Sequence, residues 1–170
     1  YGFDKARAGF CQWFVNAIEN ARLCPTAQEY ENKVEDLHGL YMSRKPDGRF
    51  FVDNLSVFDC SKVSDGASAL AIMSEEGLAK CGIDKKDAVE VISFAQVERN
   101  ITHDPPDPTE LTTIKKAAHQ ALESAGITIE QLGTIETHDC FSIAGILAVE
   151  ALGFARPGEG ADFVAARSTA

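Results

Sequence analysis

An α/β layer fold is what this 170-residue chain predicts. Three observations carry the prediction. Stretches with helical apolar spacing alternate with short β-leaning runs along the chain. The helical stretches carry recognisable caps and stops. Apolar residues make up 45% of the chain, enough for one domain with a real core.

Taken in order, Phe10, Trp13, Phe14, Ala17, Ile18 and Ala21 recur at spacings of three and four, an amphipathic helix that Pro25 ends. From Thr26 to Arg49, charged and turn residues including Pro46-Asp47-Gly48 predict connecting structure or a short helix within a loop. Residues 50–58 lean towards β. Residues 59–66 then feed a small and apolar run at 67–73, which suits a strand buried on both faces of a sheet. Ser74, with Glu76 and Gly77 close behind, opens a short helix that Gly82 terminates. Residues 89–97 read as another strand, and residues 104–107 as a proline-rich loop.

Asp107-Pro108-Thr109-Glu110 is a helix start, with Asp107 as N-cap, Pro108 at the first helical position and Glu110 completing a capping box. Leu111, Ile114, Ala118, Ala121, Leu122 and Ala125 form that helix's apolar stripe, and Gly126 supplies its left-handed end. A capped turn from Thr128 leads to the β-branched run Gly133-Thr134-Ile135-Glu136-Thr137. The last helix sets Phe141, Ala144, Leu147, Ala148, Ala151 and Leu152 on one side and stops at Gly153 and Pro157. The sequence contains neither an internal repeat nor a low-complexity tract.

Composition excludes several classes. A formal charge of -10 and the lack of a basic run argue against a nucleic-acid partner, whose phosphates must be neutralised by Lys and Arg. There is no run of 18 or more apolar residues to span a membrane, and no signal-peptide pattern. Cys11, Cys24, Cys60, Cys81 and Cys140 are odd in number and lack CxxC pairing, which fits free thiols in a reducing compartment and disfavours a zinc site. Tyr1 and the closing Ala166-Arg167-Ser168-Thr169-Ala170 read as cuts, with processing the alternative for the first, and the final residues do not form a peroxisomal SKL-type address.

The chemistry concentrates at His138-Asp139-Cys140-Phe141, where the β-branched run gives way to a helix. An imidazole and a thiol two residues apart are the parts of a proton-transfer or nucleophilic site. Unpaired N–H groups at a helix start, with the positive end of its dipole, favour a thiolate there. Against this stand plainer roles: Cys140 as a small buried hydrophobe, His138 as a capping or core residue, Asp139 as the helix N-cap. Cys60 and Ser61 precede the turn-like Ser64-Asp65-Gly66. His119 reads as a solvated surface residue, Cys11, Cys24 and Cys81 as packing, and the lone glycines as caps. Spacing alone thus yields one candidate site and no reaction.

Those residues also carry a resemblance. The run from Asp59-Cys60-Ser61 through Ser64-Asp65-Gly66-Ala67 to Met73-Ser74-Glu75 resembles the thiolase segment in which a strand of the N-terminal domain passes the pantetheine channel. His138-Asp139-Cys140-Phe141-Ser142-Ile143-Ala144 is similar to the HDCF motif of sterol-carrier-protein-2 type thiolases, which stands in place of the NEAF motif of other thiolases. Leu152-Gly153 and Pro157-Gly158-Glu159-Gly160 continue the match, and Asn20 with Pro25, Ala27 and Gln28 resembles the helix and turn leaving the loop domain.

The resemblance implies a thiolase-like α/β fold of mixed sheets sandwiched by helices, of which only part is present. Residues 1–84 would hold the end of the loop region and the last part of the N-terminal domain, and residues 85–170 the first half of the C-terminal domain. It further implies a homodimer, a peroxisomal or mitochondrial place in lipid metabolism such as fatty acid β-oxidation, and coenzyme A as a substrate with no resident cofactor or metal. In thiolysis a cysteine nucleophile forms an acyl-enzyme, a short acyl-CoA leaves, and CoA takes up the acyl group. By motif, His138 would help form an oxyanion hole, Cys140 would be the acid/base cysteine moving the α-proton, and Ser61 and Phe141 would lie along the substrate.

Two departures limit the implication. The nucleophilic cysteine would lie upstream of Tyr1, and the GGxxxGHP segment would follow Gly160 but does not. Catalytic groups that act as a unit fail together, so no thiolase turnover is expected from this chain alone. The -10 charge and missing cationic patches also work against holding the CoA phosphates. The alternatives are a non-catalytic acyl-CoA-binding or dimerisation module on the same fold, and a free-standing cysteine hydrolase, for which His138 and Cys140 on one turn are poorly placed.

Overall fold

The computed structural model describes residues 2–49, 51–104 and 107–166. The start of the β-leaning run at Phe50, the centre of the proline-rich loop at Pro105 and Pro106, and the terminal Arg167-Ser168-Thr169-Ala170 lie outside the described residues. Among the described residues the order is α1 (Phe3–Ala21), α2 (Leu37–Ser43), α3 (Glu75–Lys80), α4 (Thr112–Ala125), α5 (Ser142–Leu152) and α6 (Gly160–Ala165), with short 3-10 turns at Val57–Asp59, Lys85–Asp87 and Ile129–Gln131.

The expected mixed sheet is not seen among the described residues, which hold only two isolated antiparallel bridges, Val52 with Leu55 and Cys60 with Phe141. Residues 67–73 and 89–97, expected as strands, lie at the surface: Leu70 is 82% exposed, Val89 96% and Phe94 86%. The physical reason is pairing. A strand exists only as a member of a ladder, and among the described residues neither 62–73 nor 89–97 makes a backbone–backbone hydrogen bond. β-branched composition suits a strand but cannot supply its neighbour.

Helices, which close their hydrogen bonds locally, follow the expectations better. α1 is the axle, packing against α6, α5 and α2. Its Phe10 and Cys11 join Tyr41 of α2, Ile146 and Val149 of α5, and Ala161 and Val164 of α6 in the core. Phe14, Tyr41 and Phe58 form an aromatic cluster with ring centroids 5.2–6.3 Å apart. α6 has no counterpart among the expected elements. On α5 the buried positions are Ser142, Gly145, Ile146, Ala148 and Val149, which share only Ala148 with the expected stripe, because this helix is apolar all round and its partners select the face.

Caps divide in the same way. Ser74 caps α3 by accepting from Gly77 N–H at 3.2 Å. Gly126 and Gly153 take the left-handed conformation at φ 68° and 95°, as expected. Asp107 does not start α4. Its carboxylate instead accepts from the Thr109 N–H at 2.8 Å and hydroxyl at 2.6 Å, a local turn that competes with the helix, which begins five residues later at Thr112. Cys24 and Cys81 are exposed rather than packed, and only Cys11 of the three is buried.

A buried polar brace ties α2 to the turn at Val57–Asp59. The Tyr41 hydroxyl donates to Asp59 Oδ1 at 2.6 Å, and Asp59 Oδ2 accepts from the Ser56 N–H at 2.7 Å and hydroxyl at 2.9 Å. Arg7, 8% exposed, donates to the Arg44 carbonyl at 2.7 Å and stacks over the Tyr41 ring, 5.1 Å from its centroid.

This core has a pH signature. Burial pushes the Cys11 thiol up to about 11 from its ordinary 9.0, and burial with the hydrogen bond to Asp59 also raises Tyr41. The folded state keeps protons that the unfolded chain releases, so this stability is complete below pH 9 and is lost as the pH climbs through 11. Cys11 accounts for a loss of about 2 kcal/mol. The urea midpoint should therefore fall between pH 8 and pH 10.5, less steeply in Cys11→Ala. An unchanged wild-type midpoint would show that Cys11 is not held in a dry core.

Candidate active site at the start of α5

Gly133 to Thr137 approaches α5 without forming a strand, and Phe141, in extended backbone at φ −138° and ψ 148°, is the residue from which the helix departs. Cys140 therefore sits two residues before the first helical residue. His138 is exposed, while Asp139, Cys140 and Phe141 are half-buried.

The turn after residues 57–59 meets this junction. Cys60 bridges Phe141, the Ser61 N–H donates to the Cys140 carbonyl at 3.0 Å, and the Phe51 ring stacks on Phe141 at 6.2 Å. The turn after α1 joins from the other side: Gln28 Nε2 donates to the Val63 carbonyl at 3.2 Å, and Lys62 pairs with Glu29. Three stretches singled out in the sequence, around Gln28, Ser61 and Cys140, are thus joined by hydrogen bonds although more than a hundred residues separate the first from the last. The Ser61 side chain itself lies at the surface.

Asp139 is not the cap of α5. Its Oδ2 accepts from Trp13 Nε1–H of α1 at 2.7 Å. Local sequence reasoning missed Trp13 because its partner stands 126 residues away and its spacing matches an ordinary core position. A cleft of about 680 Å³ opens beside this pair, with Asn16, Leu132, Ile135 and Phe154 among its walls. Its lining runs from Leu132 through Thr137 and takes up Asp139, but leaves out His138 and Cys140.

Elsewhere, His119 is exposed beside Glu123, its Nδ1 3.6 Å from the carboxylate, as a solvated pair one helical turn apart. Not all glycines are caps. A Cβ at Gly145 would stand 2.3 Å from the Trp13 ring, and one at Gly9 2.7 Å from the Ala161 Cα, so both serve close approach. Among the described residues no three His, Cys, Asp or Glu side chains converge as a metal ion requires, and no helix is long and apolar enough to cross a membrane.

Residues 95–170, which contain the junction and α4 to α6, match the family model of the thiolase C-terminal domain. That match places residues 95–170 in the thiolase superfamily.

The chain's relatives within the superfamily agree. It is 42% identical over 109 residues to an acetyl-CoA acetyltransferase of Methanothermobacter thermautotrophicus, a match covering 64% of this chain and 28% of that protein. It is 35% identical over 121 residues to human sterol carrier protein 2, covering 66% and 21%. To the benzoylsuccinyl-CoA thiolase subunit BbsB of Thauera aromatica it is 35% identical over 117 residues, covering 68% and 30%. The chain therefore spans less than a third of the length of these curated relatives.

Proposed function

We propose that this chain carries the proton-transfer half of an acyl-CoA thiolase of the sterol-carrier-protein-2 type. The full-length reaction would be 3-ketoacyl-CoA thiolysis or the reverse Claisen condensation. The observation that carries the reading is the hydrogen bond joining Ser61 to Cys140, which brings the pantetheine-like segment against the His138-Asp139-Cys140-Phe141 junction. In this reading Cys140 moves the α-proton, His138 donates to the thioester oxygen as it gains charge, and Ser61 and Phe141 flank the acyl-CoA. Coenzyme A is a substrate, and neither a resident cofactor nor a metal is required.

The remaining parts of the reading follow the superfamily. Residues 1–84 would close the N-terminal domain and residues 85–170 open the C-terminal one. The 67–73 and 89–97 runs would enter mixed sheets once ladder partners are supplied. A homodimer, a reducing compartment such as the peroxisome or mitochondrion, and no nucleic-acid partner belong to the same proposal. This chain alone is proposed to lack thiolase turnover. A non-catalytic acyl-CoA-binding module is the second reading, favoured by the cleft beside Trp13 and Asp139, whose lining leaves out His138 and Cys140, while the net charge of -10 works against holding CoA phosphates in both readings.

Calorimetric titration with acetoacetyl-CoA tests the shared step. Saturable heat at one site per chain is expected, and His138→Ala should weaken it only slightly, since that contact strengthens chiefly in the transition state. Absence of heat would count against both readings.

A further inference from the structure

We propose that Trp13 is a positioning residue for the His138 and Cys140 pair, acting through Asp139. The inference rests on the proton-transfer reading and adds to it a part of the site supplied by α1. The indole N–H donates to Asp139 Oδ2 at 2.7 Å, a short side-chain hydrogen bond across 126 residues of sequence. The same ring is wedged against α5: a Cβ at Gly145 would come within 2.3 Å of both Cε2 and Cζ2, so the close approach needs a residue with no side chain there. One side chain thus touches the residue between His138 and Cys140 and also the first turns of the helix that follows.

The consequence is directional. Asp139 is drawn into the cleft between α1 and α5, whose lining excludes His138 and Cys140. On the other flank, the Cys140 carbonyl is held by the Ser61 N–H at 3.0 Å. The junction is pinned from both flanks, one pin a side-chain bond from α1 and the other a backbone bond from the turn after residues 57–59. Without the indole pin, nothing among the described contacts holds the Asp139 carboxylate in the cleft. The peptide could then rotate, carrying the imidazole and thiol out of register with the substrate.

Trp13→Phe deletes the N–H donor together with the distal ring that meets Gly145, whereas Asp139→Asn replaces the carboxylate by an amide and leaves that packing in place. The chain has a single tryptophan, so its indole N–H gives one unambiguous NMR cross-peak. In the wild type this proton should exchange slowly, and Asp139→Asn should shift the peak and speed its exchange. Iodoacetamide labelling, read peptide by peptide, should be about tenfold faster at Cys140 in Trp13→Phe, in Asp139→Asn and in the double variant alike, the non-additivity expected of one shared bond.

Cys11, which is 0% exposed, is the internal control: general loosening would raise its labelling too, and positioning would not. Wild-type labelling of Cys140 in Trp13→Phe, additive effects in the double variant, or parallel release of Cys11 would each overturn the proposal. Failure of the proton-transfer reading is seen separately, as acetyl-CoA proton exchange that does not depend on Cys140.

Discussion

Cys140→Ala is expected to abolish exchange of the acetyl-CoA methyl protons with D2O, lowering the rate by about a hundredfold to ten-thousandfold. This partial reaction is the informative one because it needs no acyl-enzyme. A base removes the α-proton, and the electron pair moves onto the thioester oxygen. Solvent deuterium then returns to carbon through the same group. Cys140 and His138 are the residues assigned to those tasks, and both lie within the chain. His138→Ala should cost about a hundredfold to a thousandfold, the scale of losing one oxyanion donor. Cys81→Ala should change nothing, since Cys81 is an exposed residue at the end of α3, away from the junction. Because Cys140 is only half-buried, its loss should leave the melting temperature almost unmoved, which separates chemistry from folding. If Cys140→Ala exchanged protons at the wild-type rate, the acid/base assignment would be wrong.

Gly9→Val should be the most damaging single change to the fold. α1 and α6 meet where Gly9 faces Ala161, and a Cβ on residue 9 would lie 2.7 Å from the Ala161 Cα and 2.8 Å from its carbonyl oxygen. Backbone atoms cannot swing aside as a flexible side chain does, so α6 must retreat and the packing of Ala161 and Val164 against Phe10 and Cys11 must open. Overpacking of this kind costs about 1–3 kcal/mol. For a chain this size that is a fall of roughly 2–12 °C in melting temperature. Gly9→Ala should fall less, because relief of glycine's poor helix propensity, about 1 kcal/mol, offsets part of the clash. Gly66→Ala, with nothing within 4 Å of the added carbon, is the control and should stay within about 0.5 kcal/mol of the parent. Equal melting of Gly9→Val and Gly66→Ala would refute the α1–α6 contact.

What could be read locally divides along physical lines. α1, α3, α4 and α5, the glycine stops of the last three and the Ser74 cap were legible because a helix closes its hydrogen bonds within four residues and shows its periodicity in the chain. The errors fell where a partner decides. Residues 67–73 and 89–97 have strand composition but no neighbour among the described residues, so they do not become strands. Asp107 and Asp139 both have cap chemistry. One was taken by a local turn and the other by an indole from α1.

By itself, then, the sequence determined α1, α3, α4 and α5, the acidic charge, the free thiols and the candidate residues His138, Cys140, Ser61 and Phe141. All of these depend on residue identity or on contacts a few positions apart. Only the tertiary structure decided that the Ser61 segment bonds to Cys140, that Gly9 and Gly145 are contact points rather than caps, and that Trp13 holds Asp139. Each of those is a meeting of groups about eighty to a hundred and fifty residues apart. No local propensity encodes such a meeting, because it is settled by which helix faces bury one another.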